Sequence, residues 1–158
     1  MKKVPMTVEG AKRLKAELHR LKTVDRPAVI TAIADARSHG DLAENADYDA
    51  AKERQGFIEG RIAEVERRLA HAQVINPAEL DGHGHVVFGA TVELEDLDSG
   101  EHVTYQIVGD DEADLKHGKI SVSSPISRAL IGKEPGDTAE VQAPGGTRSY
   151  EIVAIAYV

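Results

Sequence analysis

From Thr7 onward, apolar side chains recur at Ala11, Leu14, Leu18 and Leu21, a 3-4-3 spacing that lines one stripe of a helix. Thr7 is well placed to cap that helix. A second run, Arg26, Ile30, Ile33 and Arg37, keeps a 4-3-4 spacing but is out of phase with the first, and Pro27 lies at the break. Because proline removes an internal hydrogen bond, a bend or short interruption is expected near residues 23–26. Further on, Ala51, Gln55, Ile58, Ile62, Val65, Leu69 and Ala72 follow an unbroken heptad rhythm with polar residues between them. The pattern predicts two arms of about 30 residues each, folded as an antiparallel coiled-coil hairpin about 45 Å long. Gly56 and Gly60 fall inside the second arm. Each weakens a helix by about 1 kcal/mol relative to alanine, and the expectation is that they let helices approach closely.

The rhythm then changes. Residues 76–85 hold Pro77, Gly82 and Gly84 and read as a linker. Beyond them, residues 90–95 and 103–108 alternate polar and apolar around Asp98-Ser99-Gly100, the mark of a β-hairpin. Ser124-Pro125 supplies a cap and a first-turn proline for a short helix ending near Gly132. Residues 138–142 and 149–158 are further strands. The expected fold class is α+β: a helical hairpin over 1–75, a linker over 76–85, and a small sheet with one helix over 86–158.

Charge divides at the same place. Residues 1–75 carry 14 Lys and Arg against 12 Asp and Glu, a net of +2, while residues 76–158 carry 5 against 15, a net of −10. An overall charge of −8 argues against a generic DNA binder, which would concentrate a basic face. The absence of cysteine excludes disulfides, thiolate chemistry and cysteine zinc sites. No apolar run follows Met1-Lys2-Lys3 as a signal peptide would require, and none reaches membrane-spanning length. The expectation is a cytoplasmic protein without membrane contact.

The chemistry concentrates where the two arms meet. Gly40-Asp41-Leu42-Ala43-Glu44-Asn45-Ala46-Asp47-Tyr48-Asp49 gathers four carboxylates in nine residues. Asp41 and Glu44, three apart, fall on one side of a helix start and are hard oxygen donors suited to Mg2+. Gly40 is also suited to ending the first helix, with Asp41 capping the second and Glu44 completing a capping box. Capping and metal binding both remain open on the residues alone. Two carboxylates are too few to hold Mg2+ tightly, so further ligands must come from a partner. Arg37, Lys52 and Arg54 flank the tip and form either a phosphate-contacting patch or ordinary ion pairs with Asp35, Asp49 or Glu53. In the second half, Asp110-Asp111-Glu112-Ala113-Asp114 is most simply a solvated loop, or else a surface for a basic partner.

Several of these stretches resemble the bacterial Gre family of transcript cleavage and elongation factors, nearer its GreA branch than its GreB branch. The resemblance rests on residues 40–48, Gln55-Gly56-Phe57-Ile58-Glu59-Gly60-Arg61-Ile62, residues 107–114, Ser124-Pro125-Ile126 and Leu130-Ile131-Gly132-Lys133. It implies a coiled coil that enters the secondary channel of RNA polymerase and an FKBP-like C-terminal domain that docks at the channel mouth. Asp41 and Glu44 would then help hold a second Mg2+ and the attacking water, so that the polymerase cleaves the nascent RNA 3′ end in a backtracked complex. The protein would be a monomeric activator rather than a free-standing enzyme. Arg37 and Lys52 match the family's RNA-contacting basic patch, although Lys52 stands where relatives often carry arginine, whose bidentate phosphate contact lysine does not reproduce. Ser123 and Pro125 fall in the polymerase-docking loop, Ser123 where relatives often carry Asn or Asp. Two rival readings are a channel-occupying inhibitor, against which Asp41 and Glu44 argue, and a peptidyl-prolyl isomerase. The isomerase would need an aromatic-lined cleft, and the chain has two Phe and no Trp. A structural coiled-coil adaptor, indifferent to its tip acids, is a third.

Overall fold

The computed structural model describes residues 3–38 and 45–158. It divides into two compact units, one of Ala11–Ala72 and one of Lys3–Gly10 with Gln73–Val158. The fold is α+β, as the pattern requires.

In the first unit, α1 (Val8–Arg20) runs into a π-helical turn (Leu21–Asp25) and then into α2 (Arg26–Arg37), which packs against α3 (Ala46–Ala70). Leu21, Val29, Ile58 and Ile62 form the buried seam, with Leu18 packed on it. The heptad in α3 is borne out: Ala51, Ile58, Ile62 and Val65 are all buried. Its last member is not helical, because α3 ends at Ala70 and Ala72 opens a strand.

In this unit one expectation is met and two are corrected. The interruption expected near residues 23–26 is the π-helical turn: the Arg26 N–H bonds to the Leu21 carbonyl, five residues back, while both flanking residues keep helical dihedrals. That wider turn places Pro27 in the first turn of α2, where its missing N–H costs nothing. The turn also shifts the stripe. Val29, Ile33 and Ala36 are buried, whereas Ile30 is 52 % exposed and Arg26 pairs with Glu59 at 2.7 Å. The second correction concerns Gly56 and Gly60: a Cβ built on either meets nothing within 4 Å, so neither serves an approach between these helices.

In the second unit, five strands lie in the order β5-β4-β3-β7-β6: β3 (Thr91–Asp96), β4 (His102–Val108), β5 (Lys119–Ser121), β6 (Thr138–Ala143) and β7 (Gly146–Ala156). All neighbours are antiparallel except β4 and β5. Along β3, Val92, Leu94 and Asp96 turn inward while Thr91, Glu93 and Glu95 are half-exposed, the alternation that a one-sided sheet imposes. The helix α4 (Pro125–Leu130) starts on the Ser124 cap and stops before Gly132, whose φ of 89° only glycine adopts without strain. Leu130 joins Leu94, Ile107 and Ile152 in the core. The periodicity did not reveal β5, which has three residues, or the pairing of β1 (Val4–Thr7) with β2 (Ala72–Ile75). The segment read as a linker contains a 3-10 turn (Pro77–Glu79) with Pro77 buried.

Candidate functional site

Asp41 and Glu44, with Gly40, lie outside the described residues. The helix ends on either side of them are defined. Ser38 closes α2, its N–H donating to the Ala34 carbonyl and its hydroxyl to the Asp35 carbonyl. The N-cap of α3 is Asn45, with extended dihedrals and Oδ1 accepting the Tyr48 N–H at 3.1 Å. The capping of the second helix expected of Asp41 therefore belongs to Asn45. The same side chain donates through Nδ2 to the Ala36 carbonyl at 2.6 Å, so one amide fixes the start of α3 against the end of α2. Asp47 and Asp49 stand exposed in the first turn of α3, where the helix dipole favours negative charge.

Of the flanking cations, Arg37 places its guanidinium 6.0 Å from the centre of the Tyr48 ring, at the outer limit of a cation–π contact. Lys52 donates to Gln55 at 3.1 Å. Each thus has its own neighbour, and among the described residues none of Arg37, Lys52 and Arg54 is spent in an ion pair. The ion pairing weighed against a phosphate-contacting role is absent there.

The second set of site residues lies in the globular unit. Ser123 and Pro125 are exposed, Pro125 as the first residue of α4. The Ser123 hydroxyl donates to Asp110 Oδ1 at 2.7 Å, and the Ser121 hydroxyl donates to the same oxygen. These donors stabilise the carboxylate and hold Asp110 below its ordinary range, Ser121 first and Ser123 second. The acidic run is consequently more than a solvated loop. Glu112 Oε2 accepts the Gly109 and Thr7 N–H groups, each at 3.0 Å, while Oε1 accepts the Thr7 hydroxyl. Thr7 in turn accepts the Gly10 N–H at 3.1 Å, confirming it as the cap of α1. Asp114 is drawn down by its contact with His117. Asn45 and Glu112 are the two organising residues that the sequence reading overlooked. A usable signal was present for Asn45, a strong capping residue directly before a turn containing Asp47 and Asp49.

Among the described residues, this end of the hairpin carries the carboxylates of Asp47 and Asp49 and the cations Arg37, Lys52 and Arg54, none of the three in an ion pair. A cation-mediated contact with a phosphate chain needs both groups. Among the described residues no cluster of three or more His, Asp or Glu could hold a metal ion, and no helix is long and apolar enough to cross a membrane.

Comparison with known proteins covers both units. Residues 4–74 match the model for "Transcription elongation factor, N-terminal" and residues 81–157 that for "Transcription elongation factor, GreA/GreB, C-term". The chain is 70 % identical over 157 residues to the transcription elongation factor GreA of Verminephrobacter eiseniae, covering 99 % of both chains. To that of Neisseria meningitidis serogroup A it is 67 % identical over 158 residues, covering 100 % of both. Among solved structures, GreA factor homolog 1 of Thermus thermophilus is 32 % identical, with 98 % of this chain and 99 % of that one covered and a TM-score of 0.44. GreA/GreB from Nitrosomonas europaea is 24 % identical, with 99 % and 100 % covered and a TM-score of 0.43. Matches to both family models and full-length identity near 70 % lead to one conclusion: the chain belongs to the GreA/GreB family of transcription elongation factors.

Proposed function

We propose that this chain binds bacterial RNA polymerase through its secondary channel and stimulates the polymerase's own Mg2+-dependent cleavage of the RNA 3′ end in backtracked complexes. The observation that carries this reading is the cap at Asn45. Asn45 fills the N-cap of α3, so the start of that helix makes no demand on Asp41. Family membership supports the same reading, since the relatives at 64–70 % identity are named as elongation factors.

In this account Asp41 and Glu44 contribute oxygen ligands to a Mg2+ shared with the polymerase, and that ion supplies activation of the attacking water or stabilisation of the leaving oxygen. Two carboxylates match the cation in hardness but not in number, so the chain is an activator and not a nuclease by itself. Arg37 and Lys52 face the phosphates of the RNA end. Ser123 and Pro125, on the loop organised by Asp110, contact the polymerase surface. The protein acts as a monomer in the cytoplasm.

The test is RNA 3′ cleavage in a stalled, backtracked polymerase complex with Mg2+, comparing wild type with Asp41→Asn plus Glu44→Gln. Wild type is expected to accelerate cleavage, while the double variant binds with similar affinity and loses at least about 100-fold in stimulated rate, roughly the weight of a lost metal ligand or catalytic electrostatic contact. Equal binding with no acceleration by either protein would make the chain a channel occupant instead.

A further inference from the structure

Phe57, on α3 beside the buried stripe, is 80 % exposed. Together with Arg61, it lines two hollows of the helical unit. One, of about 630 Å³, has the buried Leu21 and Ile58 in its lining and takes in Leu21 and Asp25 of the π-helical turn. The other, of about 320 Å³, lies over Gly56 and Gly60. These two glycines weaken α3 without serving any packing inside the hairpin, because open space faces both. Four residues apart, they form a flat strip on one face that the backbone of an incoming helix can approach closely. An uncovered aromatic next to such a strip, with buried apolar side chains in the lining of the adjoining hollow, has the layout of a binding hot spot.

Charge indicates what fits. Asp25 and Glu53 border the larger hollow, and neither is engaged in an ion pair among the described residues. Arg54 adds one positive charge. Arg61 is already committed, held by Glu17 at 2.5 Å and Glu64 at 3.2 Å. The unpaired charge on the rim is therefore net negative. That disfavours a phosphate backbone, and it disfavours a second copy of this face, which would bring the same excess against itself.

We propose that this face is the docking site for an α-helix of RNA polymerase, one that seats an apolar side chain against Phe57 and presents Lys or Arg to Asp25 and Glu53. The inference rests on the polymerase reading above and adds a second point of attachment, on the side of the hairpin.

The test measures affinity of the full-length chain for core polymerase, for wild type, Phe57→Ala, Gly56→Ala with Gly60→Ala, and Asp25→Lys with Glu53→Lys. Each variant is expected to bind about 10-fold more weakly, as for loss of one hot-spot contact, while maximal cleavage at saturation is unchanged. The glycine pair is the control for folding: it is expected to melt above wild type and still bind less well. If wild type binds and all variants bind within about twofold of it, the docking site is overturned and the cleavage reading stands. If wild type fails to bind polymerase, both fall. If sedimentation shows wild-type dimers that Phe57→Ala dissociates, the occupant is a second copy and the proposal is overturned.

Discussion

Among the described residues three glycines sit in helices, and their surroundings give them opposite signs. A Cβ on Gly10 would run into Glu112 Oε1. Glu112 cannot simply swing aside, because its carboxylate accepts from Thr7 and Gly109. Helix propensity alone would make Gly10→Ala stabilising by about 1 kcal/mol. The clash and the loss of those hydrogen bonds outweigh it, and a net destabilisation of about 1–3 kcal/mol is expected. At Gly56 and Gly60 nothing opposes propensity, so alanine should stabilise by up to about 1 kcal/mol at each. Thermal melts of the three single variants check both signs; destabilisation at all three would refute the open-space account. The distinction is invisible in the sequence, which presents three similar interruptions of helical patterns. What separates them is Glu112, a hundred residues away. Asn45 differs in kind: its role is local, and the residues after it were enough to reveal it.

At the scale of elements, the sequence showed most where a single periodicity ran unbroken. The heptad of α3 gave its buried positions directly, and the alternation of β3 and β4 gave their pairing. In α2 it failed because Leu21 and Val29 are eight residues apart, a spacing that an α-helix repeating every seven places off its stripe. The π-helical turn absorbs the extra residue. No local pattern announces such a turn, since it is selected by packing against α3. Ion pairs also join the two arms, and among the described residues Glu17 with Arg61 is the least exposed of these. Hydrogen bonding from Arg61 holds Glu17 below its ordinary value of 4.5. A depressed carboxylate contributes stability that is present above the unfolded-state value and lost as pH falls through the lower folded one. The hairpin should therefore lose stability below about pH 4.5. Glu17→Gln should cost about 0.5–1 kcal/mol at pH 7, after solvent screening, and flatten that acid slope. Circular dichroism melts between pH 3 and 7 provide the check; an unchanged slope would assign the acid sensitivity to other groups.

For the whole molecule, the division of charge at residue 75 falls close to the change from one compact unit to the other, but it does not give the path of the chain between them. The globular unit includes Lys3–Gly10 as well as Gln73–Val158, with β1 beside β2 and Thr7 bound to Glu112. Deleting residues 1–10 is thus expected to damage the sheet-bearing unit. Urea unfolding followed by tyrosine fluorescence in a Tyr48→Phe background, where Tyr105, Tyr150 and Tyr157 remain to report, should show its midpoint lowered. An unchanged midpoint would mean that the first strand adds nothing to that unit. The pairing of Thr7 with Glu112 spans 105 positions, and this separation sets an order of events during synthesis. A ribosome adding about 5–20 residues per second delivers Glu112 some 5–20 s after Thr7. The helical hairpin, complete by residue 72, has time to form in that interval. The first strand can pair with β2 once residue 75 has emerged, but its bond to Glu112 must wait, so a nascent chain stalled before residue 112 carries a finished hairpin and a two-stranded ribbon that lacks its anchor.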